Sequence, residues 1–390
     1  MDQKNAVKLL DNTFNQDFDL ERFSLFIKEL FNHFNLRINE NIPLRKEYYD
    51  YINQMDSLGV YRDNNGDSIE VFAVQLKKTS SRDRARTMQR NLIAKYLKNS
   101  GSNAALVAFY GDDPQDWRFS FVKIEYDLIK DEKGNLKVKE DITPARRFSF
   151  LVGKNEPNHT CRRQFLDLIE EESEDPLLKE IEQAFGIENV TLEFFEKYKN
   201  LFLKLQKSLE EVIKTDEIVK NEFNKRNIPT ADFAKKLMGQ IVFIYFLQKK
   251  GWLGVDKGEK WGKGPRNFLR KLFNKGMVDY KNFFNDILEP LFYEALATPR
   301  DDDYYRHFDC KIPFLNGGLF EPINDYDWVK TEITLKNNIF KEILDVFDLY
   351  NFTIKEDEPL EKEVAVDPEM LGKVFENLLD VDARKSQGAF

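Results

Sequence analysis

The sequence has few of the residues that build disulfide frameworks and the common zinc sites. Its 390 residues include two cysteines, Cys161 and Cys310, which lie far apart and in no metal-ligand spacing. Its three histidines, His33, His159 and His307, are scattered, and a histidine without a partner is more often structural than a ligand. This usage argues against a disulfide scaffold or a zinc site and indicates a reducing compartment.

A long apolar run is also missing. The most apolar stretch, Ile241–Leu247, is too short to span a bilayer, and the N-terminal residues MDQKNAVKLLDN lack the apolar core of a signal peptide. No internal repeat or low-complexity tract is visible. We therefore expect a soluble cytoplasmic protein that makes no membrane contact.

The composition leaves ample material for folded cores. Hydrophobic residues make up 42% of the chain and include 34 phenylalanines, so a chain of this length can form two or three domains. The net charge of −9 argues against a protein that coats nucleic acid over its whole surface, but it leaves room for a local basic face.

The chain is organised around a predicted β-hairpin over residues 55–77. Asn65-Gly66 is the strongest short-range hairpin signal and predicts a two-residue type I′ turn, which needs φ > 0 at both central residues. In that register Asp56 lies directly opposite Gln75, and Lys77 shares the face of Gln75 because side chains alternate along a strand. A three-residue loop would shift the register. The convergence of an acid, an amide and an amine predicts a metal-dependent hydrolytic site.

Other acids near the hairpin have simpler interpretations. Asp63 and Asp67 flank the turn and are typical turn residues. Glu70 has the opposite parity to Gln75 and should point to the other face of the sheet. Glu47 lies in the polar segment before the hairpin, where an accessory acid could stand. The alternative to a site is that Gln75 and its neighbours are ordinary polar ends of a strand.

The densest basic stretch of the chain follows the hairpin directly. Thr79–Lys98 predicts a helix whose apolar residues form one stripe and whose basic residues fill much of the remaining surface. Lysine and arginine on a helix face supply the sequence-independent part of DNA affinity, although a solvated helix face is an equally plain interpretation. The residues predicted to contact DNA are Lys78, Arg82, Arg84, Arg86 and Arg90.

Helical and strand patterns define the fold class. A helix over Leu20–Phe34 should begin after Asp19 as the N-cap, and buried or alternating strands are predicted at Ala104–Tyr110, Trp117–Tyr126, Leu136–Glu140 and Arg147–Val152, the third of these pairing with the second. From Leu177 onward the pattern is almost entirely helical. We therefore predict an α+β protein, with an α/β sandwich on a mixed sheet at residues 1–172 and a mainly α-helical domain at residues 173–390.

Several segments, in this order, resemble the N-terminal half of type IIG restriction–modification enzymes. They are RARTMQRNLIAKYL, WRFSFVK, TPARRFSFLVGKNEPNHT, IPFLNGGLF, YNFTI, the predicted helix DPEMLGKVFENLL (Asp367–Leu379) and the final KSQGAF. The resemblance implies a nuclease domain, a helical connector, and an adenine-specific DNA methyltransferase that would begin beyond residue 390. It also implies that S-adenosylmethionine enters only through that missing domain.

The same resemblance implies a PD-(D/E)XK-like nuclease site. Gln75-Leu76-Lys77 departs from the usual Glu-x-Lys but resembles the Gln-x-Lys of Mrr-like members of that superfamily. Mg²⁺ would be held by the Asp56 carboxylate, the Gln75 side-chain oxygen and the Leu76 carbonyl, while Lys77 orients the attacking water and neutralises the phosphate.

The expected partners are double-stranded DNA, methyltransferase and specificity domains, and a second copy of the protein if both strands are cut. The alternative is a catalytically inactive DNA-binding or scaffold fragment that docks a methyltransferase.

Overall fold

The structure is a computed structural model that describes residues 1–37, 40–77, 86–111, 116–124, 128–130, 136–138, 145–315, 317–353 and 360–366. The predicted helix Asp367–Leu379 lies outside the described residues.

The α-helices of this part of the chain are α1 (Gln3–Phe14), α2 (Leu20–Leu30), α3 (Arg86–Ser100), α4 (His159–Glu170), α5 (Leu178–Ala184), α6 (Ile187–Thr215), α7 (Glu217–Lys225), α8 (Thr230–Lys249), α9 (Phe268–Phe273) and α10 (Asn337–Phe347). Two π-helical segments, Phe284–Leu288 and Pro290–Leu296, lie between α9 and α10. None of these helices is long and apolar enough to cross a membrane.

The strands are β1 (Glu40–Asn41), β2 (Ile52–Arg62), β3 (Ser68–Leu76), β4 (Ala104–Tyr110), β5 (Asp116–Ile124), β6 (Leu128–Lys130), β7 (Leu136–Val138), β8 (Ala145–Gly153), β9 (Tyr304–Tyr305), β10 (Cys310–Lys311) and β11 (Glu361–Glu363).

The chain divides into two compact units. Unit 1 holds Met1–Thr191, Leu349–Asn351 and the strand β11, and unit 2 holds Leu192–Asp348 with Phe352 and Thr353. The boundary between the two units falls within α6, and the predicted end of the first domain is residue 172. The assignment of a separate function to each domain stays a prediction.

Unit 1 is built on a mixed sheet of seven strands in the order β1-β2-β3-β4-β5-β8-β11. The β3–β4 and β8–β11 pairs are parallel, and the other neighbouring pairs are antiparallel. Strand β11 reaches the sheet from late in the chain and places Glu361 beside Arg147 and Glu363 beside Ser149. The predicted α+β class with a mixed sheet and a helical region is confirmed.

Both faces of this sheet carry a buried core. On one face Phe72, Val74 and Val107 pack with Leu92 and Ile93 of α3. On the other face the aromatic rings of α1, α2, α4 and β5 interlock around Phe119, whose ring centroid lies 5.1–5.9 Å from Phe14, Phe23, Phe26, Phe165 and Phe185. Helices therefore cover the sheet from both sides, which makes unit 1 an α/β sandwich.

One predicted strand pairing is wrong. Residues 136–138 form β7, as expected, but β7 pairs with β6 in a separate two-stranded sheet and not with β5. Strand β5 cannot pair with β7, because β4 and β8 already pair with both of its edges.

The predicted N-cap of α2 is confirmed, although α2 ends at Leu30 and not at Phe34. Asp19 caps α2 by accepting a hydrogen bond from the Arg22 amide at 2.8 Å. Helix α8 of unit 2 ends at Lys249, and Gly251 follows it with a φ of 68°, a conformation that glycine adopts without strain.

Candidate metal centre on the β2–β3 hairpin

The hairpin turn has three residues and not the predicted two. The Gly66 amide donates to the Asp63 carbonyl at 3.0 Å, and the Asp63 amide donates to the Asp67 carbonyl at 2.9 Å. Gly66 has a φ of 87°, whereas Asn65 has no positive φ, so the loop is a type I turn followed by a left-handed glycine. Asp63 stabilises this turn because its carboxylate accepts from the amides of Asn65 and Asp67, each at 2.9 Å.

A bulge at Gly59 shifts the register again. The pairing slips between Ser57 and Gly59, and Gly59 has a φ of 136°. A Cβ at this position would lie 2.6 Å from the Asn35 carbonyl oxygen and 2.9 Å from the Phe34 ring. Only glycine fits here, so the bulge is fixed by packing against the chain that precedes the hairpin.

The predicted direct opposition of Asp56 and Gln75 is therefore wrong. Asp56 pairs with Ala73, and Gln54 is the residue opposite Gln75. The displacement is two residues in total, and side chains alternate with a period of two, so Asp56 keeps the face of Gln75 as its diagonal neighbour.

The Asp56 carboxylate is almost completely buried, with 4% of the residue exposed. It accepts two hydrogen bonds from the Gln54 side chain, with Nε2 at 2.8 Å from both Oδ1 and Oδ2. Tyr110 lies beside Gln75 on β4 and stacks on Phe18 at 4.1 Å. Burial raises the pKa of the Tyr110 hydroxyl, and the nearby charge of Asp56 raises it further.

Lys77 continues the hairpin by one residue beyond β3. Its amide donates to the Tyr51 carbonyl at 2.8 Å, and its Nζ donates to the Tyr49 carbonyl. Lys77 and Gln54 line one open pocket of about 440 Å³, together with Asn41, which pairs with Asp56 from the neighbouring strand β1. The structure thus brings the Lys77 amine and the Gln54 amide to the mouth of one pocket. The Gln54 amide also donates the hydrogen bonds that hold the Asp56 carboxylate.

Two other acids of this region, Glu70 and Glu47, are engaged elsewhere. Glu70 accepts from the Ser102 hydroxyl at 2.8 Å. Burial raises the pKa of Tyr96 on α3, and the charge of Glu70 raises it further, so Glu70 points to the opposite face, as predicted. Glu47 pairs with Lys95 at 2.6 Å, and this hydrogen bond lowers the pKa of the Glu47 carboxyl.

A cation at Asp56 would rest on one carboxylate and several neutral oxygens. Within the described ranges, no group of three or more histidine, cysteine, aspartate or glutamate side chains could hold a metal ion. Asp56, the Gln75 amide and the Leu76 carbonyl are all oxygen donors, and this set suits Mg²⁺, which retains several waters and uses few protein ligands. The residues fit the predicted ion, and their roles as ligands stay predictions.

Three of the five residues predicted to contact DNA, Lys78, Arg82 and Arg84, lie outside the described residues. The other two are on α3 and turn inward. Arg86 pairs with Glu363 at 2.6 Å, and Arg90 lies 3.4 Å from Glu361.

These pairs belong to a buried cluster that joins α3 to β11 through the sheet. Arg147 lies 3.3 Å from Glu361, and Arg118 lies 3.4 Å from Glu363, with all four side chains at most 6% exposed. Arg86 and Arg90 therefore hold α3 and β11 together. This geometry does not support the predicted contact of the two arginines with DNA, which stays a prediction.

Sequence reasoning missed three residues at the site, Gln54, Asn41 and Tyr110. Gly59 was the available signal, because a glycine inside a strand pattern often marks a bulge. A bulge there, with a three-residue loop, pairs Gln54 with Gln75.

The chain is similar to one curated protein of Methanocaldococcus jannaschii named "Putative type II restriction enzyme and methyltransferase". The two are 34% identical over 231 residues, which cover 54% of this chain and 18% of that protein. The matched part thus spans about a fifth of the length of its relative. No family model matches the chain, and no solved structure matches it.

Proposed function

We propose that this chain is the endonuclease portion of a type IIG-like restriction–modification enzyme and that it hydrolyses phosphodiester bonds of double-stranded DNA with Mg²⁺. The name of the similar protein supports a role in restriction and modification. The observation that carries the nuclease assignment is the arrangement at the open end of the β2–β3 pair. Asp56 and Gln75 are diagonal neighbours on one face, and Lys77 lines a pocket with Gln54, the residue opposite Gln75.

Each residue has a distinct role in this proposal. Asp56 holds the ion, with the Gln75 amide oxygen and the Leu76 carbonyl as neutral partners. The bound ion supplies a water activated for attack and stabilises charge that develops on the phosphate. Lys77 orients that water and faces the phosphate. Its Nζ donates to the neutral Tyr49 carbonyl at an exposed position, and a DNA phosphate, which is an ionised acceptor, can replace that carbonyl.

The proposal extends to partners. DNA recognition and methylation would reside in methyltransferase and specificity domains, S-adenosylmethionine would act only through the former, and a second copy would be needed to cut both strands. Such a system would work in the cytoplasm, next to the DNA that it protects.

A second function is favoured by one observation. Gln75 stands where an acid is the more common choice, and a neutral amide binds Mg²⁺ less strongly than a carboxylate. The unit would then be an inactive DNA-binding scaffold that docks a methyltransferase.

Plasmid cleavage separates these two functions. The wild-type chain should cut in Mg²⁺ and stop in EDTA, and Asp56→Asn should lose at least about a hundredfold in rate. Asp67→Asn is the matched control, because Asp67 lies at the turn, which is the other end of the same hairpin. Equal loss in both variants would contradict the assignment. Absence of cutting by every form, even with a methyltransferase partner added, would favour the scaffold.

A further inference from the structure

The Gln54 amide nitrogen lies in the notch between the two oxygens of Asp56. Its distances to Oδ1 and Oδ2 are both 2.8 Å. A carboxylate binds cations in the same bidentate position, and the NH₂ group is the positively polarised end of the amide. A neutral donor of this protein therefore fills the place where a cation would contact Asp56.

The backbone explains why Gln54 can reach this place. Gln54 is two residues before Asp56 on β2, so both side chains share one face, and it lies directly opposite Gln75. The ladder is irregular between Ile52 and Gln54, and Gln54 is exposed at the pocket mouth. Packing does not fix the rotamer of an exposed side chain at an irregular strand end, so the two hydrogen bonds to Asp56 are what holds Gln54 in this position.

We infer that the cation displaces the Gln54 amide nitrogen from the Asp56 carboxylate and that Gln54 then becomes one of the ligands of the cation. When the ion binds Asp56, the Gln54 side chain changes its rotamer, so that Nε2 leaves the notch and Oε1 faces the ion from beside it. The cation then has oxygens from Asp56, Gln54 and Gln75 on adjacent strands. This inference rests on the proposed function, because it assumes that Asp56 binds Mg²⁺.

The exchange has two consequences for Mg²⁺ affinity. Gln54→Leu removes an oxygen ligand and should weaken binding about tenfold, even though it also frees the Asp56 carboxylate. Gln54→Glu keeps the shape, adds a second carboxylate and should tighten binding about tenfold, since ligand charge count sets affinity at such sites. If Gln54 only blocked the carboxylate, Gln54→Leu would bind Mg²⁺ more tightly than the wild type.

The test is Mg²⁺ titration of the full chain by calorimetry, with no DNA present. Asn53→Leu is the matched control, because Asn53 is the neighbouring exposed residue of the same pocket, and its affinity should equal that of the wild type. Gln54→Leu binding as tightly as the wild type, or more tightly, would overturn the inference. Failure of Gln54→Glu to bind Mg²⁺ more tightly than the wild type would overturn it independently.

A spectroscopic readout reports the exchange itself. In the NMR spectrum of ¹⁵N-labelled protein, the side-chain NH₂ signal of Gln54 is assigned as the signal that is absent from the spectrum of Gln54→Leu. This signal should shift when Mg²⁺ is added to the wild type. An unchanged signal at saturating Mg²⁺ would also overturn the inference. Asp56→Asn separates the two failures: if it binds Mg²⁺ like the wild type, the proposed site is wrong, whereas if it alone loses binding, only the role of Gln54 is wrong.

Discussion

Glu289 of unit 2 should make the stability of the protein fall as the pH rises. Glu289 lies between the two π-helical segments and is 1% exposed. The Tyr326 hydroxyl donates to its Oε1 at 2.5 Å, and the Tyr293 hydroxyl oxygen lies 3.2 Å from that of Tyr326. Burial raises the pKa of the Glu289 carboxyl to about 9, although the Tyr326 hydrogen bond acts in the opposite direction.

The sign and size of the effect follow from this raised pKa. The unfolded carboxyl titrates near 4.5, so between pH 4.5 and 9 the folded state binds the additional proton. The stabilising contribution is complete below pH 4.5 and is lost as the pH rises through 9. Each pH unit in this window costs about 1.4 kcal/mol, so the free energy of unfolding should fall by up to about 4 kcal/mol between pH 5.5 and 8.5.

Glu289→Gln tests this directly, because glutamine keeps the shape and stays neutral. We would measure urea unfolding of both proteins at pH 5.5 and 8.5 by tryptophan fluorescence, which mainly reports unit 2 because Trp252, Trp261 and Trp328 belong to it. The variant should gain stability relative to the wild type at pH 8.5. Exposed Glu332→Gln is the control. Parallel pH dependences of the wild type and Glu289→Gln would refute the reasoning.

Three further predictions concern the free energy of unfolding, measured with denaturant, and two of them compare a matched pair of substitutions. Gly59→Ala should cost more than about 2 kcal/mol, because its φ is 136° and the Asn35 carbonyl blocks a Cβ; Gly66→Ala, with a φ of 87° and open space, should cost about 1 kcal/mol. Glu361→Gln removes the carboxylate charge beside buried Arg147 and Arg90 and should cost about 3 kcal/mol, whereas exposed Glu40→Gln should cost under about 1 kcal/mol. Phe119→Ala opens the aromatic core and should cost about 3–5 kcal/mol. Equal losses within either matched pair, or a Phe119→Ala loss below about 1 kcal/mol, would contradict these explanations.

The elements of the fold that have strong local signals could be predicted from the sequence. Ala104–Tyr110 is a continuous apolar run between polar segments, and β4 has the same bounds. Helix α2 begins after the cap that Asp19 supplies. Strand β11 could not be predicted, because Glu361–Glu363 has no apolar alternation and enters the sheet only through pairing with β8 and through buried ion pairs. Its strand state comes from tertiary context and not from propensity.

The candidate site was predictable in its face but not in its register. The parity of Asp56 and Gln75 follows from the period of two and survives a shift of two residues. The shift itself depends on the hydrogen bonds that Asp63 makes within the turn and on the contact of Gly59 with an earlier part of the chain. The contact between Gln54 and Asp56 could not be predicted from the sequence, because it depends on the observed register and on the positions of the two side chains.

Single-turnover nicking of supercoiled plasmid tests most directly whether Lys77 and its neighbours form the proposed Mg²⁺-dependent nuclease site. Lys98→Ala is the control, because Lys98 is an exposed lysine in the last turn of α3. We predict that the wild type and Lys98→Ala nick DNA at equal, Mg²⁺-saturable rates, and that Lys77→Ala is slower by about a hundredfold or more. Nicking by Lys77→Ala at the rate of the wild type would contradict the assignment of the site.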